Sequence, residues 1–371
     1  MILSMNSQDL LEGLNIVTRA LSSRPAKQIL EGVLISAEEN RVLMTCSDGS
    51  LTIEYTNAAS VQEEGQTVLP GRIFTEMIRK MPAGTVTITE QDHRSATIRC
   101  MKNRSSLAVM NPAEYPELNP MKTGSKVKIQ QNKLKEMISH VVFAIATDES
   151  RQILTGSLLE ENRNEARLVA LDGFRLAMYK LFQPFELPAG TDIVSAVIPG
   201  KVLNELTKIL PDDDAFCSLL IDKGRMQCTF GNIRLSSVLL AGEYIDYRRI
   251  LPSDFKTEAL AHKSSVQDAI DRASLMAREG KNNLLRLALT DSEMTITANA
   301  ERGTVLEKIP VSYSQEAFKI AFNARYLFDV IRNVDTEEMC MRFNSSVSPC
   351  TIAPVEGDQF IYLVLPVRVL D

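Results

Sequence analysis

Six stretches of the chain repeat apolar residues at spacings of three and four, the signature of a helix with one buried face. They cover residues 7–23, 71–81, 131–147, 200–210, 263–279 and 324–334. In three of them the predicted buried positions are Ile73, Phe74, Met77, Ile78 and Met81, then Val202, Leu203, Leu206, Ile209 and Leu210, then Tyr326, Leu327, Val330, Ile331 and Val334. Between the helices, segments such as GVLISAEENRVLMTCSDGSLTIEY and GSLLEENRNEARLVALDGFRLAMYK alternate apolar with polar residues and contain turn residues, which predicts antiparallel strands.

The pattern repeats. TVLPGRIFTEMIRKMPAGTVTIT from Thr67, SAVIPGKVLNELTKILPDDDAFCSLLI from Ser195 and KIAFNARYLFDVIRNVDTEEMCMRF from Lys319 each read strand, break, amphipathic helix, loop, strand. Asp48-Gly49 and Asp172-Gly173 occupy matching places, whereas the third unit keeps the strands and lacks that turn. At 371 residues the chain exceeds one ordinary core. The expectation is an α+β fold of three repeated units of about 120 residues, each with two helices on small antiparallel sheets. Breaks at Pro112–Pro120 and Pro252–Lys256 put the domains at 1–122, 123–252 and 253–371.

Composition and charge sharpen this reading. Hydrophobic residues make up 44% and charged residues 24%, the balance of a globular protein. The start of the chain has no leader-like pattern and no later run suits a membrane span, so the expected location is cytoplasmic. The net charge is −6, yet the six helical stretches together carry +4, which leaves −10 on the rest. Arg19, Arg72, Arg79, Lys80, Lys133, Lys201, Lys208, Arg272, Arg325 and Arg332 are therefore candidates to meet a polyanion through phosphate contacts that read no bases.

Catalytic patterns are missing. There is no G-x-x-x-x-G-K-S/T loop, no G-x-G-x-x-G after a strand and no H-E-x-x-H. His93, His140 and His262 are expected on surfaces or helix faces, and Asp212-Asp213-Asp214 as a solvated loop. The six cysteines (Cys46, Cys100, Cys217, Cys228, Cys340 and Cys350) are widely spaced and read as buried small hydrophobes. No catalytic residue, metal or cofactor is expected. A hydrolase or transferase with a site assembled from scattered residues, and a repeat-built peptide adaptor that encircles nothing, stay as alternatives.

Four segments carry a resemblance. Ser23-Arg24-Pro25 followed by Gln28-Ile29-Leu30 resembles an R-P-x-x-P-I-L motif, with Gln28 in place of its second proline. ALDGFRLA at 170–177 resembles A-T-D-G-H-R-L-A, GEYIDYRRILP at 242–252 resembles G-x-F-P-D-Y-x-x-V-L-P, and YLVLPVRV at 362–369 resembles Y-V-V-M-P-M-R-L. In this order the chain resembles the β subunits of bacterial DNA polymerase III, the sliding clamps, from its first helix to its last strand. The resemblance implies a head-to-tail homodimer whose six domains ring duplex DNA without reading its sequence. It implies tethering of the polymerase α subunit, clamp-loader subunits and other proteins with short clamp-binding motifs, for processive synthesis and not for catalysis.

Carried over residue by residue, the resemblance implies a partner-peptide groove at Leu154, Leu171, Gly173, Phe174, Arg175, Leu176, Ile245, Arg249, Ile250, Asn323, Tyr326, Pro349, Leu363, Leu365, Pro366, Val367 and Arg368. Arg175 and Arg368 are expected as donors at its edge. Leu171, Phe174 and Ile245 replace Thr, His and Pro of the family pattern, so the groove should be more apolar. Arg24 matches a DNA-contact position, and the nearby surface loop from Asp148 to Arg151 is also expected to approach DNA. Leu107, Leu275 and Met276 are implied at the subunit interface.

Overall fold

A computed structural model describes residues 1–369 except 23, 93, 118, 119, 186, 188–191, 223, 314 and 315. Ser23 and His93 thus lie outside the described residues. The chain forms two compact units, one from residues 1–132 with 208–239, the other from 133–207 with 240 onward.

In the first unit a five-stranded antiparallel sheet runs Ser60–Glu63, Ile2–Asn6, Thr85–Glu90, Ser95–Cys100, Asn103–Ala108. The second sheet has eight strands in the order Ser125–Gln130, Phe216–Asp222, Arg225–Phe230, Ile233–Val238, Leu51–Ala58, Arg41–Ser47, Gly32–Glu38, Gly65–Pro70. It is continuous because Ile233–Ser237 pair with Leu51–Tyr55, joining strands far apart in the chain. Helix α1 (Ser7–Val17) is capped by the Asn6 side chain, which accepts from the Gln8 amide, and buries Leu10, Leu14 and Val17. At Gly13 an added Cβ would come within 2.1 Å of the Met44 methyl and 2.6 Å of the Tyr55 ring, so a side chain there would force both to shift for the helix to lie this close to the sheet. Helix α2 (Gly71–Arg79) buries Phe74 and Ile78.

The second unit holds an eight-stranded sheet in the order Val194–Pro199, Gly156–Glu161, Glu165–Leu171, Arg175–Phe182, Phe360–Val364, Cys350–Pro354, Glu338–Phe343, Thr257–His262. A four-stranded sheet follows the order Gly303–Pro310, Glu293–Ala300, Leu284–Thr290, Phe318–Asn323. Helix α5 (Lys263–Glu279) buries Val266, Ala269, Ile270, Ala273 and Ala277, and α6 (Ala324–Arg332) buries Leu327, Val330 and Ile331. Helices α3 (Gln131–Ser139) and α4 (Gly200–Ile209) have bounds falling in both units.

Several expectations need correction. The helix expected over 7–23 ends at Val17 and gives way to a 3-10 turn at Thr18–Ala20; that over 131–147 ends at Ser139, with a 3-10 turn at Val142–Ala144. Helical periodicity continues through such turns, so pattern alone overruns the ends. Within the observed helices the net charge is +2, half the expected excess, because Arg19 and Lys80 fall beyond α1 and α2. Ile73 is 60% exposed and not part of the buried face of α2. The strands build two eight-stranded sheets and not only small ones. The six cysteines are free and buried, as their spacing suggested.

Candidate partner groove and charged surfaces

The turn at Asp172-Gly173 begins the candidate groove. Asp172 Oδ1 accepts from the Phe174 and Arg175 amides at 2.9 and 3.0 Å, and Gly173 sits at φ +91°, the left-handed region where a side chain is strained. The hairpin then sends Arg175–Phe182 back antiparallel to Glu165–Leu171, and its far side pairs with the last strand, setting Leu176 opposite Leu363. That one register brings together residues almost two hundred positions apart.

Leu154, Leu171, Leu176 and Leu363 belong to one buried cluster, and Ile245 and Ile250 pack against it. Beyond the strand end the Leu365 amide donates to the Phe174 carbonyl at 2.9 Å and the Val367 amide to the Ala321 carbonyl at 2.8 Å. These bonds hold 365–367 beside the start of α6, which Asn323 caps by accepting from the Arg325 amide. Phe174, 54% exposed, stacks on Tyr326 with ring centroids 5.1 Å apart. Leu365 is 37% exposed, Pro366 and Val367 are half-buried, and Arg368 is exposed. Arg249 is turned outward and pairs with Asp246 at 3.0 Å; Pro349 is half-buried just before Cys350–Pro354.

Arg175 departs from expectation. It is buried, and its Nε and Nη1 donate to Asp172 and Asp329 at 3.0 and 2.5 Å while its guanidinium lies 5.0 Å from the Tyr326 ring centroid. Its donors face inward and brace the turn against α6, so it does not offer them at the groove edge. Asp329 and the exposed Val347 (58%) escaped sequence reasoning, since neither lies in a matching segment.

His140 also differs: it is buried, with Nδ1 2.5 Å from the Tyr362 hydroxyl and Nε2 3.2 Å from Asp335. Its ring stacks on Tyr179, whose hydroxyl donates to Glu136. Burial lowers the His140 pKa against the opposing pull of Asp335 and Glu136. Burial disfavours the charged form of Glu136, yet Lys133 and the Tyr179 hydroxyl outweigh it and hold the carboxyl below its usual range. Glu136, His140 and Asp335 present ligand atoms within 4.8 Å of one another, a spacing that could hold a metal ion. Protein groups already occupy those atoms, so the cluster reads as a hydrogen-bonded network. His262 is exposed.

Of the basic candidates, Arg24, Arg72, Lys80, Arg325 and Arg332 are exposed. Arg79 pairs with Glu76 and Asn15, Lys133 with Glu136, and Arg272 with Glu307 at 2.6 Å. Lys201 and Lys208 are exposed on α4, and Arg19 is half-buried. Asp148 caps a 3-10 helix at Glu149–Thr155. In the Asp212–Asp214 loop, Asp214 accepts from the Asn132 side chain at 2.9 Å, which fits a plain surface loop. Leu107 lies on the edge strand Asn103–Ala108, and Leu275 is 66% exposed on α5 beside the half-buried Met276. Among the described residues no helix is long and apolar enough to cross a membrane.

Three models of the DNA polymerase III β subunit match the chain in order: the N-terminal domain over 1–119, the central domain over 128–246 and the C-terminal domain over 248–368. The beta sliding clamp of Staphylococcus epidermidis is 32% identical over 365 residues, covering 96% of each chain. The crystal structure of the DNA polymerase sliding clamp from Bacillus subtilis superimposes with a TM-score of 0.95 over the whole of both chains at 32% identity. That of the Pseudomonas aeruginosa sliding clamp bound to griselimycin does so with a TM-score of 0.93, at 25% identity. With all three domains matched in order and a relative this similar along nearly its whole length, the chain belongs to the DNA polymerase III β subunit family, the bacterial sliding clamps.

Proposed function

We propose that this sliding clamp closes as a head-to-tail homodimer around duplex DNA and tethers the replicative polymerase α subunit, clamp-loader subunits and other proteins through short peptides. Three repeats, at 1–122, 123–252 and 253–371, would give six domains per ring. The protein is a processivity factor, not an enzyme. Holding DNA by topology needs only weak phosphate contacts, which Arg24, Arg72, Lys80, Arg325, Arg332 and the α4 lysines are suited to make.

One observation carries the peptide reading: the Leu176–Leu363 register sets an apolar cluster beside the exposed Phe174 and Leu365. Buried apolar anchors with few polar groups are how short peptides gain affinity. Leu171 and Ile245 enlarge the apolar part, and Phe174 replaces a polar ring by an apolar one. The test is fluorescence anisotropy with a Gln/Leu/Phe-rich clamp-binding peptide. Leu365→Ala should weaken binding about tenfold, the loss of one partly exposed apolar anchor. Unchanged affinity in Leu365→Ala and in Phe174→Ala would overturn the groove assignment.

A further inference from the structure

Next to the candidate groove, a second depression of about 580 Å³ lies on the face of the four-stranded sheet and reaches the segment 367–369. Its floor is set by register: Arg286 stands between Thr297 and Ala321, and Ala288 between Thr295 and Lys319, in two neighbouring rows across three strands. Val347, Val367 and Val369 add aliphatic walls, and Arg368 closes one side. Arg286, Lys319 and Arg368 are exposed, and among the described residues no carboxylate lines the depression.

That charge distribution is unusual for this chain, which is acidic overall at −6. Three cations, with no carboxylate among the described lining residues, favour an anionic occupant. A nucleic-acid strand is the poorer fit, because strand-binding grooves rely on aromatic stacking platforms and none of the described residues lining this one is aromatic. Small aliphatic and hydroxyl side chains suit an extended polypeptide instead. Val367 and Arg368 belong both to this depression and to the candidate groove, so a chain leaving the groove would run directly onto it.

We infer that this depression binds the acidic flank of a partner peptide whose apolar anchors occupy the neighbouring groove, an extension that rests on the groove reading. Arg286 and Lys319 supply the charge, and Ala288, Val347 and Val367 the contact surface. Partners with Asp or Glu beside their anchors would thus be preferred over partners with neutral flanks.

The experiment compares four fluorescent probes on the full-length protein: the Gln/Leu/Phe-rich core peptide, the same peptide with Asp/Glu extensions at either end, the same with Gly/Ser extensions, and the acidic segment alone. An acidic extension at one end should tighten binding about five- to tenfold at low salt, the scale of two exposed charge pairs, and the gain should shrink as salt rises. Arg286→Glu with Lys319→Glu should abolish the gain and leave core-peptide affinity unchanged; Arg286→Gln with Lys319→Gln serves if the reversal disturbs folding. Equal affinity for acidic and neutral extensions, or a gain that survives both variants, overturns the inference. If the core peptide fails to bind, the groove reading falls, and the inference is then judged on the acidic segment alone by its loss of binding in the variants. A single-stranded oligonucleotide of equal charge that binds as well, with the same dependence on Arg286 and Lys319, would overturn the peptide assignment.

Discussion

Single side chains divide the candidate groove into buried parts that serve folding and surface parts proposed to bind. Leu363 is 2% exposed inside the apolar cluster, so Leu363→Ala should cost about 2–5 kcal/mol of stability as a cavity forms. Peptide binding is therefore better tested at Leu365, which lies at the surface. Glu161 is a different case. It is 1% exposed, neither carboxylate oxygen has a hydrogen-bond partner, and burial pushes its pKa up to about 7 from 4.5. The folded state then holds a proton that the unfolded state releases, so stability from this group is lost as pH rises from 4.5 through 7. Glu161→Gln should stabilise the protein by about 1–3 kcal/mol at pH 8, with the advantage narrowing toward pH 5. Thermal unfolding across that range checks it; an advantage that stays constant with pH would refute the cause. Sequence could not expose Glu161 or the burial of His140, because both depend on which elements pack against them. A Glu next to Glu160 in an alternating strand and a lone His within the helix expected over 131–147 read as ordinary surface residues.

At the scale of elements, more was legible. Apolar spacing placed six helices, and Asp-Gly signals placed two hairpins whose turns the structure reproduces at Gly49 and Gly173. Helix ends were overrun where 3-10 turns continue the periodicity, and Ile73 was misplaced because an apolar residue at helical spacing can still face water. The merging of strands into eight-stranded sheets was hidden, since pairing such as Ile233 with Tyr55 or Leu176 with Leu363 has no local signature. The edges are more telling. Asn103–Ala108 ends the five-stranded sheet and Gly303–Pro310 ends the four-stranded one, where Leu306 is 56% exposed. Open edges with exposed apolar residues invite pairing with another chain. If these edges form the subunit contact, Leu306→Asp with Leu275→Asp should halve the particle mass by light scattering, from twice 41.3 kDa to one chain, without loss of secondary structure. A dimer of unchanged stability in that variant would place the interface elsewhere.

For the whole molecule, the repeat gives copies of one architecture and its divergence gives them different work. The strand pairing of Arg175–Phe182 with Phe360–Val364 gathers residues of the candidate groove. The basic candidates are less uniform than the charge sum over the predicted helices implied, since Arg79, Lys133 and Arg272 have carboxylate partners. The exposed candidates form a modest set of cations, which would suit sliding better than tight binding. The central claim is topological, and the most direct measurement is retention on DNA after loading by a clamp loader. The clamp should stay on a closed circular duplex through a wash at raised salt and be released when the circle is cut once. Release from the intact circle by salt alone, or equal retention on circular and linear DNA, would contradict encirclement.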